Sequence, residues 1–270
     1  MRRLLPLALA MLALLTLAAS ASAHDLFLRL RTYFVPPNAA VVVRVLNGTF
    51  VKSEGTVERN RLREITLASG GAIRQLDRAS WSDTSRTVST LTFQTQAPGT
   101  YVVGASVLPR LIALPAKQFN EYLEHDGVPD ILNARRRSGE LGKPSRERYH
   151  KHVKAILQVG DAHTADFAAT FGYPAELVPL SNPYDVRVGG RIAFRCLVDG
   201  APAVRQYVIA GSDAGAGRMN ERGYRSDSTG VVHVPITRRG KWYVKFIRMV
   251  PVRDSVDYES TWASLTFEVR

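Results

Sequence analysis

A chain of 270 residues, 45% hydrophobic and 22% charged, has the balance of a globular protein with one or two cores, which excludes an intrinsically disordered chain. Its single cysteine excludes an internal disulfide framework and a cysteine-ligated zinc module. The formal charge of +12 is spread along the length, and no basic stretch interleaves with aromatic residues, so nucleic acid is not an expected partner.

Arg2 and Arg3 precede an apolar run from Leu4 to Leu17, and the small residues Ala21, Ser22 and Ala23 follow. This is the pattern of a secretory signal over residues 1–23, removed to leave a mature chain that begins at His24. Loss of two arginines and no acid lowers the net charge from +12 to +10. No later stretch reaches the roughly 18 apolar residues of a membrane-spanning helix, so an exported periplasmic protein is expected.

From His24 to about Leu108, short strands alternate with turn signals. Leu26, Leu28 and Leu30 share one strand face, Val41 to Leu46 is a β-branched run ended by Asn47 and Gly48, and further strands are expected over 62–67, 87–94 and 100–107. Phe119, Tyr122 and Leu123 then fall at helical spacing, and a second short helix is expected over 129–136. Ser145 stands where it would cap a third helix, and from Val153 the period becomes two. The helices, about 114–152, therefore read as an excursion from a first β-sandwich over 24–168.

A second sandwich is expected over 172–270. Ile192, Phe194, Cys196 and Val198 share a strand face, Asp199 and Gly200 form a turn, and strands follow over 204–210, 231–236, 242–249 and 262–269. Gly211 to Gly217 reads as a loop, since it lacks the Lys-Ser/Thr of a phosphate loop. The predicted fold is mainly β, two immunoglobulin-like or transthyretin-like sandwiches, with Cys196 as a core residue.

No nucleophile elbow, zinc-protease helix or dinucleotide fingerprint is present, and no catalytic residue or organic cofactor is expected. Six histidines remain: His24, His125, His150, His152, His163 and His233. Cleavage after Ala23 gives His24 a free α-amine beside its imidazole, two nitrogen donors with ordinary pKa values near 8 and 6.5, suited to copper, nickel, cobalt or zinc. His150 and His152 lie in a basic segment read as solvated, whereas His163 and His233 are the candidates for completing a site with His24. No histidine spacing forms a motif, so a metal site would have to be assembled in three dimensions.

Several segments resemble one uncharacterised bacterial family: Ala23 to Leu28 (AHDLFL), Leu114 to Leu123 (LPAKQFNEYL), Arg146 to Tyr149 (RERY), Leu177 to Tyr184 (LVPLSNPY) and Tyr258 to Val269 (YESTWASLTFEV). That family carries the label of a predicted periplasmic component of a cobalt or nickel uptake system. The resemblance implies a non-catalytic metal-binding accessory protein, with His24 as a ligand and a membrane transporter or outer-membrane receptor as partner. One departure is Arg248, where relatives often have histidine. The alternative is an immunoglobulin-like module that binds a protein or a cell-envelope polymer, and a third reading is a copper redox enzyme with a histidine brace at His24.

Overall fold

The computed structural model describes residues 24–215 and 217–270. The secretory signal expected over residues 1–23 lies outside the described residues. Ten strands precede the helices: β1 Asp25–Leu30, β2 Phe34–Val35, β3 Ala40–Gly48, β4 Ser53–Gly55, β5 Leu62–Ser69, β6 Ala72–Gln75, β7 Trp81–Ser82, β8 Ser89–Gln94, β9 Gly99–Val107 and β10 Arg110–Leu114. Two helices follow, α1 Ala116–His125 and α2 Pro129–Arg137, and then β11 Ser145–Val159, β12 Ala175–Pro179, β13 Arg191–Val198, β14 Ala201–Pro202 and β15 Tyr207–Asp213. The chain closes with β16 Met219–Arg225, β17 Val231–Pro235, β18 Gly240–Pro251 and β19 Tyr258–Val269.

These strands form three sheets. A central sheet runs β16, β15, β18, β19, β11, β9, β5, β6, with β10 and β2 also bonded to β11. A first outer sheet runs β1, β3, β8, β7 with β4 on β3, and a second runs β12, β13, β14 with β17 on β13. Val153, Ala155, Leu157 and Val159 of β11 join Leu26, Leu28, Val43, Val45 and Leu91 in one core, while Ile156, on the opposite face, joins Leu177, Phe194, Cys196, Val232 and Phe267 in another. By strand alternation the outer sheets therefore cover opposite faces of the central one. The fold is mainly β, and its two sandwiches share their middle layer.

The shared layer is joined by a parallel ladder between β11 and β19, in register from Glu147 opposite Tyr258 to Ala155 opposite Thr266. The expected division near residue 170 falls between β11 and β12, and the central sheet draws strands from both sides of it. Every residue of β9 is buried, as expected of a strand covered on both faces. Gly104 is needed there, because a Cβ would lie 2.7 Å from the ring of Phe171.

The helical excursion starts as expected but ends earlier. Phe119, Tyr122 and Leu123 of α1 pack on Ile247, Met249, Tyr258 and Trp262 of the central sheet. Ser145 caps no helix: it opens β11, which is one strand through to Val159. The reason is Arg135 of α2, buried and donating to the Ser145 hydroxyl at 2.8 Å and to the carbonyls of Glu140 and Lys143, which ties the helix to the start of the strand. The glycine-rich segment is also shorter as a loop than expected, since β15 continues to Asp213 and returns as β16 in an antiparallel hairpin. The Asp199–Gly200 turn is as expected, with both residues at positive φ, 49° and 76°.

Cys196 is fully buried on β13, and burial pushes its thiol up to about 12. It should resist thiol reagents in the native protein and react promptly in urea. Fast labelling without denaturant would show that β13 is not packed as described.

Candidate functional site

The site grows from β1, which among the described residues is bonded on only one side, to β3. Along its other edge the carbonyls of His24 and Leu26 would be left without partners and that of Leu28 would have only the Tyr33 hydroxyl at 3.3 Å, and an edge of that kind must be covered or satisfied. Three side chains of the central sheet supply the donors: Lys151 Nζ to His24, Ser264 Oγ to Leu26 at 2.7 Å and Thr266 Oγ1 to Leu28 at 2.5 Å. Ser264 and Thr266 are therefore small and polar where they face β1, which is fixed to the central sheet from its head onward.

Beneath the head of β1 lies a buried ionic cluster. The ammonium of Lys245 on β18 contacts Asp25 Oδ2 at 2.5 Å and Asp126 Oδ1 at 3.4 Å. Asp126 is placed by the end of α1, where Gly127 takes φ 83° and terminates the helix. Lys151 lies over the rings of Trp262 and Tyr149, 4.3 and 4.9 Å from their centroids. Glu147, also buried, accepts from Tyr122 Oη at 3.1 Å and from the Ser260 hydroxyl, while its Oε2 has no partner among the described residues.

Burial sets the charges of this cluster against one another. It pushes the Asp126 carboxyl up to about 6 and that of Glu147 up to about 7, and it pushes Lys151 down to about 8. For Lys245 burial also works against the charged form, but the carboxylates of Asp25 and Asp126 outweigh it and hold the ammonium above the ordinary lysine range. Strongly shifted groups gathered at one place are a recurrent mark of functional sites, and equally of structural ion networks.

His24 stands half-buried at the rim of this cluster, with Nε2 3.3 Å from Glu54 Oε2 on β4. His163 lies in the loop after β11 and meets Asp185 at 2.5 Å, and His233 is exposed on β17, opposite Ala193. The central sheet separates His24 from His233, and among the described residues no three His, Cys, Asp or Glu side chains gather as metal ligands. The structure thus brings Glu54, and neither His163 nor His233, to His24. Arg248 is exposed near the end of β18, on the face of Phe246 but past the core.

On the opposite face of the central sheet, His150 and His152 are not part of a solvated segment. His152 Nδ1 shares a hydrogen bond with Ser106 Oγ at 2.9 Å, and its Nε2 shares one with His150 Nδ1 at 3.1 Å. Burial pushes His152 down to about 3 and lowers His150, so both rings are neutral near pH 7. Ser106 is fully buried, and the pair reads as a satisfied polar chain in the interior.

Residues 21–249 match a family described as a domain of unknown function, DUF4198. The chain belongs to that family. The single DUF4198 match runs through both sandwiches and includes His24, Asp25, Lys151 and Lys245. No curated protein matches the chain significantly. Among solved structures it is similar to the D0-D1 domain of intimin, with 12% identity, TM-score 0.22 and coverage of 90% of this chain and 97% of that one. It is also similar to a tetra-tandem repeat in the extending region of a large adhesion protein, with 15% identity, TM-score 0.24 and coverage of 91% and 49%. A two-domain fibronectin type III segment of chicken tenascin shows 12% identity and TM-score 0.23, with coverage of 91% and 98%. At these scores the likenesses carry no argument about this DUF4198 chain's function.

Of the cluster, Asp25 and Glu147 fell within family-like segments, the AHDLFL and RERY runs, although neither was read there as a site residue. Lys151, Lys245, Asp126 and Glu54 gave no motif. The available signal was alternation: Glu147, Tyr149, Lys151 and Val153 share one strand face with the apolar positions after them.

Proposed function

We propose that this DUF4198 protein is a non-catalytic, exported interaction module that takes a partner protein of the cell envelope by adding a strand to β10. The observation that carries this reading is the edge of β10. Among the described residues it is bonded to β11 on one side only, and Leu111 within it is 60% exposed and Leu108 just before it 39% exposed. An unpaired edge with apolar side chains invites strand addition, and long-lived monomers usually blunt such edges. A photoreactive residue at the exposed position Ala113 should give a discrete protein adduct in intact cells, and the same residue at Ile73 on β6 should not. Leu111→Lys should abolish the adduct. Equal adducts at both positions, or binding of the purified chain to peptidoglycan alone, would count against it.

A second reading is favoured by His24. With Nε2 facing the Glu54 carboxylate, Nδ1 is the nitrogen left to chelate together with the α-amine, and carboxylates that orient a ligand histidine in this way are common around metals. The carbonyl of His24 is already held by Lys151, so the chelating residue is preorganised. His24 Nδ1 and the α-amine, with Glu54 orienting the ring from Nε2, fit a nickel, cobalt or copper ion with open positions, as in an accessory that passes metal to a transporter or outer-membrane receptor. The exported protein should have the mass of residues 24–270. It should bind one divalent ion, most tightly copper, with binding weakened below about pH 6 as protons compete for both donors. Glu54→Gln should cost about ten-fold in affinity, and His24→Ala or one residue left ahead of His24 should remove binding. Equal affinity in all these chains would rule this reading out.

A further inference from the structure

We infer that the cavity between the head of β1, the segment 56–61, β10 and β11 is a binding site for a small oxyanion of the phosphate or carboxylate kind. The cavity measures about 120 Å3, and Arg61, Arg110 and Lys151 reach it from three different elements. Asn47 and Tyr149 add polar groups to its wall over an apolar floor, and Glu58 is the only carboxylate in the lining. The lining thus carries a net excess of two positive charges.

The cations are poorly satisfied as they stand. Arg61 donates through Nη2 to the Leu108 carbonyl at 2.8 Å, but its buried Nε has no partner among the described residues. Burial and the neighbouring Arg110 charge lower the Arg61 guanidinium from its ordinary value. Lys151 gives one hydrogen to the carbonyl of His24 and has three to give. An anion placed among these groups would accept from the free Lys151 hydrogens and relieve the repulsion between the two guanidiniums, through charge-assisted hydrogen bonds that are roughly twice as strong as neutral ones.

Size narrows the ligand. A dry cavity of about 150 Å3 admits benzene, so this smaller polar one suits an anion of about five heavy atoms. Inorganic phosphate, sulfate or a short carboxylate fits, whereas a nucleotide or a sugar polymer does not. The site takes Arg110 from β10 but does not use Leu111 or Ala113, and it needs no metal at His24, although Lys151 borders both the cavity and the His24 carbonyl.

The test is calorimetric titration of the mature protein with phosphate, sulfate and acetate against chloride at constant ionic strength. At least one of the three should saturate a single site in the millimolar range or tighter. Saturation by phosphate and sulfate alone would assign a tetrahedral oxyanion, and saturation by acetate a carboxylate. Arg110→Gln, at an exposed position, should weaken binding by about ten-fold with an unchanged melting temperature. Lys151→Met should weaken it further if it folds, and His24→Ala should leave it unchanged. Binding no stronger than that of chloride, or native affinity in Arg110→Gln, would overturn the assignment.

Discussion

Replacing Lys245 by methionine should destabilise the protein by about 3–5 kcal/mol, the usual consequence of removing one partner from a buried ion pair. The size follows from what remains. Asp25 and Asp126 would share a site from which water is largely excluded, with no cation between them, and the ammonium of Lys151 contacts neither carboxylate but donates to the carbonyl of His24. Adding Asp25→Asn to the variant should restore part of the loss, because one of the two stranded carboxylates is then neutral. Lowering the pH to 5 should restore part as well, since Asp126 already titrates near 6 with the cation present. Urea denaturation of the single and double variants at pH 7.5 and 5 measures all of these effects. A loss under about 1 kcal/mol would place the cluster in contact with water and refute its burial.

Glu147→Gln should act in the opposite direction and should depend on pH. The folded protein holds the Glu147 carboxyl up to about 7, mainly through burial, whereas an unfolded glutamate titrates near 4.5. The folded state therefore binds the extra proton between those values, so the contribution of Glu147 to stability is complete below about pH 4.5 and is lost as pH rises through 7. Glutamine keeps an oxygen to accept from Tyr122 and Ser260 and carries no charge to desolvate. The variant should therefore be more stable than the parent by about 3 kcal/mol at pH 8.5 and indistinguishable from it near pH 4.5. Comparing the pair at each pH cancels the other titrating groups. A variant less stable at pH 8.5 would mean that the Oε2 of Glu147 is held by a cation or by ordered water.

The sandwiches were legible because their strands carry apolar residues at alternate positions and are punctuated by turns such as Asp199–Gly200. The joint between them was not. Ser145 to His152 contains six charged or histidine side chains in eight residues, which in a surface strand or helix would face water. Here Glu147 and Lys151 face inward with Tyr149, and His152 faces inward on the other side, because each has a partner that only the folded chain supplies. Pattern reading assigns charge to solvent, and it fails where a buried acid meets a tyrosine and a serine from distant segments. The partners of Lys245, Asp25 and Asp126, lie 220 and 119 residues away in sequence, so no local window could have paired them. His24 was found for a different reason, its place next to an expected cleavage point, and that reasoning could not have supplied Glu54.

The position of β19 in the middle of the central sheet sets the order in which the chain can be finished during synthesis. The last strand made lies between β18 and β11, and its Ser264 and Thr266 hold the first strand in place. Until residues 258–269 have emerged, the Leu26 carbonyl lacks its Ser264 donor, β11 has no neighbour along the edge from Glu147 to Ala155, and the core that holds Ala263, Leu265 and Phe267 cannot close. Such long-range pairing makes folding slow and leaves apolar faces uncovered while the chain is still growing. A nascent chain lacking only its last dozen residues should therefore be open to protease in its C-terminal half, where the core over β12, β13 and β17 is left incomplete.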